Sequence, residues 1–83
     1  MPQDPHDDTA YDQLSPKEGR VAALAAQGFT NQEIAERVSV GLETVRTQMA
    51  RIRRKLGVRN RTEIVARLMH DPQFRYRVGR KSD

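Results

Sequence analysis

Apolar residues recur at intervals of three and four along most of this chain, the spacing of helices that bury one face. The polar residues between them supply helix start and stop signals. Ser15-Pro16-Lys17-Glu18 reads as a capping box, with Ser15 as N-cap, Pro16 at the first helical position and Glu18 three residues after the cap. The helix it starts is expected to run to about Gln27 and stop at Gly28, a residue suited to a left-handed C-cap. Thr30-Asn31-Gln32-Glu33 is a second capping box, in which Phe29 and Ile34 are placed to form a hydrophobic staple. That helix should end near Val38. After the short turn Ser39-Val40-Gly41 a third helix is predicted over about 42–56, with Gly41 as N-cap, Val40 and Val45 as a staple, and Gly57 as the stop. Asn60-Arg61-Thr62-Glu63 opens a fourth helix that ends before Asp71-Pro72. No alternating β-branched run and no Asn-Gly or Asp-Gly hairpin turn interrupts the pattern. The expected fold is all-α, a four-helix bundle-like helix-turn-helix domain over residues 14–70.

Charge changes this picture more than composition does. The 83 residues carry a formal net charge of +4. Asp4, Asp7, Asp8 and Asp12 give residues 1–13 a charge of −4, so residues 14–83 carry +8. The first 13 residues, with two prolines and no apolar period, are expected to be a disordered acidic tail. Residues 71–83 read as a basic C-terminal tail that is either disordered or starts a short fifth helical turn at Asp71-Pro72. The cationic body between and beyond them is built to attract a polyanion, of which nucleic acid is the commonest. There is no cysteine, and the two histidines, His6 and His70, lie far apart, so neither a disulfide framework nor a metal centre is expected. No apolar run is long enough to span a bilayer, and residues 1–13 lack the features of a signal peptide; a cytoplasmic protein is expected, with no membrane partner. No Ser–His–Asp or Cys–His set and no glycine-rich phosphate loop is present, so enzyme function and a cofactor are not expected.

The third helix carries the functional signal. At about 100° per residue, Val45, Met49, Ile52 and Leu56 form a narrow apolar stripe. Opposite it lie Glu43, Thr47, Ala50, Arg51 and Arg54, with Arg46 to one side. The exposed face is small and polar near its start and densely cationic further on, where four of the five residues 51–55 are positive. Without an anionic partner such a run is self-repelling. A helix of this kind fits the DNA major groove, its first turns at base edges and its later cations at phosphates. Arg46, Thr47 and Ala50 are the expected base readers; Arg51, Arg53, Arg54 and Lys55 are the expected phosphate ligands. Thr30, Asn31 and Gln32, at the start of the second helix, are placed to bind a further phosphate.

The segments Leu14-Ser-Pro-Lys-Glu18, Ala26-Gln-Gly28, Thr30-Asn-Gln-Glu-Ile-Ala35, Glu43-Thr-Val-Arg-Thr-Gln48 and Ile52-Arg-Arg-Lys-Leu-Gly-Val58 together resemble the LuxR/GerE family of bacterial helix-turn-helix domains. The resemblance covers residues 14–69. It implies a bacterial transcription regulator that binds double-stranded DNA sequence-specifically through its third helix. It further implies dimerisation through the fourth helix on a near-palindromic site, and a sensing domain that often precedes the module. Carried over by position, it adds Gln48 to the phosphate ligands. Ile64, Val65, Ala66, Leu68 and Met69 are the expected dimer surface on the fourth helix. Gly41 stands where the family usually has serine or threonine, Arg20 where it has glutamate, Gln48 where histidine is frequent, and Ala50 where several members have a basic reader. The alternative function is a protein–protein module whose basic helix face binds an acidic partner. That reading brings in RNA polymerase or an anti-regulator as the acidic surface, and a sensing protein is a further candidate partner of the domain.

Overall fold

A computed structural model of the chain describes residues 11–71. The first ten positions and residues 72–83 lie outside it, and with them most of the expected acidic tail and the expected fifth turn. Within the described residues the fold is all-α: α1 (Pro16–Ala26), α2 (Asn31–Val38), α3 (Leu42–Leu56) and α4 (Arg61–Met69), preceded by a 3-10 turn at Tyr11–Gln13. That turn corrects the expected tail boundary. Tyr11–Gln13 belong to the folded body, because the Tyr11 amide donates to the buried Asp71 carboxylate (2.7 Å) and Tyr11 packs against the core.

Each helix begins where its cap dictates. Ser15 Oγ accepts from the Glu18 amide (3.1 Å) while Glu18 Oε1 accepts from the Ser15 amide (3.0 Å). Thr30 and Glu33 repeat the exchange at 3.1 and 2.9 Å. Asn60 caps α4 by accepting from the Glu63 amide (2.9 Å), and Glu63 reaches past it to the Arg59 amide (2.7 Å). Gly41 caps α3 without a side-chain bond. The helix-turn-helix corner forms because Ser39 takes a left-handed conformation, φ 61°, and its amide returns to the Ala35 carbonyl. A non-glycine residue in that region carries a steric cost, offset here by the packing of the two helices the turn joins.

α3 lies at the centre of the domain and packs on α1, α2 and α4. Its stripe of Val45, Met49, Ile52 and Leu56 is buried against Val21, Ala22, Ala25, Ile34, Ala35, Ile64 and Leu68, with Leu14 closing one end. Burying one large aliphatic side chain of this kind contributes about 1.5–3 kcal/mol, so this single cluster holds the frame together. Val40, expected to staple onto Val45, is 38 % exposed.

Candidate nucleic-acid interface

Because α3 spends one narrow stripe on the core, the face opposite that stripe is open to solvent. Thr47, Arg51 and Arg54 are exposed and Ala50 is half-buried, all on the side away from the stripe. Arg46 flanks them with its side chain 59 % exposed. The structure therefore gathers the three expected base readers and two of the expected phosphate ligands on one helix face. Arg53 lies at the flank, half-buried.

Three side chains are more committed than the sequence implied. Lys55 Nζ donates to Glu18 Oε1 at 2.7 Å, with Lys55 40 % exposed and Glu18 7 %. This links the end of α3 to the start of α1 and gives Lys55 a structural partner in place of a free charge. Burial on its own pushes the Glu18 carboxyl up, but the Lys55 ammonium and the Ser15 amide and hydroxyl outweigh it and hold the group below its usual 4.5. Arg46 Nη1 donates to Glu43 Oε2 at 2.8 Å, one turn back on the same helix. Asn31 Oδ1 accepts from Arg61 Nη1 (2.9 Å), and the other Arg61 terminal nitrogen donates to the Phe29 carbonyl. Asn31 thus keeps only its NH2 for an anion. Thr30 is exposed, with its oxygen on the Glu33 amide and its O–H left to donate. Gln32 leans on Glu36 at 3.4 Å. Gln48 is half-buried, its Oε1 without a hydrogen-bond partner among the described residues, beside a shallow cleft of about 280 Å³ lined by Lys17, Arg20, Val21, Val38, Val40 and Thr44.

The expected dimer surface is corrected on two residues. Ile64 and Leu68 are fully buried, because α4 uses them to pack on α1 and α3. The outer face retains Val65, half-buried, with Ala66 and Met69 exposed, Met69 by 49 %. Sequence reasoning assigned no role to Glu43 or Arg61; the i,i+3 spacing of Glu43 and Arg46 on one helix could have marked that pair, whereas nothing local to Arg61 marks its partners 30 and 32 positions away. Among the described residues no cluster of histidine, cysteine or carboxylates could hold a metal ion, and no helix is long and apolar enough to cross a membrane.

Residues 12–68 match the luxR family of bacterial regulatory proteins. The chain belongs to that family. This luxR-family domain is 39 % identical over 70 residues to the tetrathionate response regulatory protein of Salmonella typhimurium, covering 82 % of this chain and 34 % of that protein. It is 38 % identical over 55 residues to the response regulator protein VraR of Staphylococcus aureus, covering 66 % of this chain and 26 % of the relative. The domain thus spans about a third or less of the curated relatives it matches. No solved structure gives a significant match. The luxR-family assignment makes this a DNA-binding helix-turn-helix domain of the kind found in bacterial transcription regulators.

Proposed function

We propose that the domain recognises a specific sequence in double-stranded DNA with α3 in the major groove and thereby controls transcription in the bacterial cytoplasm. Arg46, Thr47 and Ala50 face the bases. Arg51, Arg53 and Arg54, with Thr30, Asn31, Gln32 and Gln48, face phosphates. Two copies meet through Val65, Ala66 and Met69 on a near-palindromic site. One observation carries the reading: α3 buries only four side chains of its fifteen residues and leaves a reading face flanked by cations. Charged residues on the outer face of a core-packing helix are ordinary, but Arg51 and Arg54 are like charges with no ion-pair partner among the described residues, an arrangement that an anionic ligand would relieve.

The test is a duplex titration over a salt series with Arg46→Ala and Arg54→Ala. Log affinity should fall steeply with log salt, since each neutralised phosphate contributes a slope of about −0.9. Arg46→Ala should shrink the ratio between cognate and scrambled duplex by roughly fivefold or more. Arg54→Ala should leave that ratio nearly unchanged and lower the slope by about one. A flat salt dependence would favour an acidic protein partner, and loss of preference in Arg54→Ala alone would misplace the helix.

A further inference from the structure

We infer that Glu43 is a second specificity-determining residue, an acceptor paired with Arg46 so that the two read adjoining base pairs. The inference rests on α3 lying in the major groove. Glu43 is the single carboxylate of α3, in a helix that otherwise carries Arg46, Arg51, Arg53, Arg54 and Lys55. Its side chain is 82 % exposed, on the outward face with Thr47 and Ala50, and takes no part in the core or in a cap. Its one partner among the described residues is Arg46, at 2.8 Å. An exposed acid in the first turn of a helix gains a little from the helix dipole, and an exposed i,i+3 ion pair contributes little to stability. Neither explains a negative charge on the surface offered to a polyanion.

Base recognition does explain it. The major groove presents hydrogen-bond donors only at cytosine N4 and adenine N6, and a carboxylate is the natural acceptor for cytosine N4. The Cβ atoms of residues three apart on a helix lie about 5–6 Å from one another, but the two side chains converge until Arg46 Nη1 and Glu43 Oε2 are 2.8 Å apart, so their ends can reach neighbouring base pairs stacked about 3.4 Å apart. Arg46 spends one hydrogen on Glu43 and keeps a donor fork for guanine O6 and N7. The ion pair therefore presents a donor edge beside an acceptor edge, complementary to guanine on one base pair and cytosine on the next. A carboxylate that finds no base donor there is left facing phosphates, so Glu43 also penalises wrong sequences.

Selection of bound duplexes from a random pool, run on the whole chain and on Glu43→Ala, Glu43→Gln and Arg46→Ala, tests this, with helicity by circular dichroism as the folding control. Arg46→Ala should erase preference at one position and Glu43→Ala at its neighbour. Glu43→Ala should also bind scrambled duplex more tightly at low salt, by about two- to tenfold. Glu43→Gln should move the neighbouring preference from cytosine to adenine, because glutamine reads adenine N6 and N7. Identical preferences in the parent chain and Glu43→Ala overturn the inference while leaving the DNA-reading function intact. Loss at the same position in Glu43→Ala and Arg46→Ala also overturns it, reducing Glu43 to a brace. A parent chain with no preference at any position overturns the function and the inference together.

Discussion

Lys55→Met is expected to cost fold stability and to spare DNA binding, the reverse of what its place in a cationic run implies. Methionine keeps the length and apolar stem of lysine and removes only the ammonium. What is lost is a 2.7 Å bond to a carboxylate whose side chain is 7 % exposed and which also closes the α1 capping box through Ser15. A hydrogen bond to a charged group is worth about 1.5–3 kcal/mol net, and with Lys55 itself 40 % exposed solvent screening reduces this to about 1–2 kcal/mol. For a domain of this size that lowers Tm by roughly 4–16 °C.

The pH dependence gives an internal control. The Glu18 carboxyl titrates below its usual 4.5 in the folded chain, so the unfolded chain binds the proton first as pH falls. The stabilisation is therefore complete above 4.5 and disappears as pH drops through the lower folded value. The gap between the parent chain and Lys55→Met should close over the same acid range, since a protonated Glu18 has no ion pair to lose. Thermal melts from neutral to acid pH measure the gap, and the salt slope of duplex binding measures the DNA contribution. A Tm within 1–2 °C of the parent (about 0.3 kcal/mol), together with a slope reduced by about one, would make Lys55 a phosphate ligand and refute the structural assignment.

Three further outcomes follow from the geometry. Ser39→Gly should raise stability by about 0.5–1 kcal/mol, because glycine relieves the steric cost of φ 61° and gives back part of the gain in unfolded-state freedom; chemical denaturation should show a higher midpoint with unchanged cooperativity. Ile52→Ala, at a fully buried site beneath the reading face, should cost about 2–5 kcal/mol, enough to leave much of so small a domain unfolded at 37 °C by circular dichroism. Met69→Glu and Ala66→Glu, both on the exposed side of α4, should leave helicity intact and weaken binding to a two-half-site duplex by about tenfold relative to a single half-site, since two like charges would meet across a two-fold contact; an unchanged ratio in mobility-shift titrations would remove α4 from the interface.

Helix limits were legible because the residues that set them are local. Ser15 with Glu18, Thr30 with Glu33, and Gly57 after Leu56 each act within one turn, and the observed α3, Leu42–Leu56, has the limits its caps predict. The core stripe of α3 was legible for the same reason, through its period. What the sequence hid depends on contacts between distant residues. Tyr11 sits among aspartates in a segment with the composition of a tail, yet its amide bonds Asp71, 60 positions away. A Cβ on Gly19 would lie 3.1 Å from the Tyr11 hydroxyl, so the glycine inside α1 marks where that ring approaches, a reason invisible without the fold. The run Arg51–Lys55 looked uniformly free because a charge count along the chain does not contain Glu18. The stripe on α4 looked wide enough for a partner because periodicity cannot divide a core face from an interface, and Ile64 and Leu68 proved to be core.

The polar ties that were hidden share a direction that bears on how α3 is presented. Lys55 fastens the end of α3 to the start of α1, and Arg67 donates to the Leu56 carbonyl (2.7 Å), fastening that same end to α4. Arg61 fastens the start of α4 to Phe29 and Asn31 at the entrance of α2. Long cationic side chains thus serve as struts on the flanks of the domain. Among the described residues the outward face of α3 is left with a single intramolecular tie, between Glu43 and Arg46. Ordering a long side chain on binding costs about 0.5–1.5 kcal/mol, and a guanidinium already held one turn from its helix start has met part of that cost before a base pair arrives. On the proposed DNA-reading role, charge is paired inside the protein where position matters, at Arg46, and has no partner among the described residues at Arg51 and Arg54, where proximity to phosphate suffices.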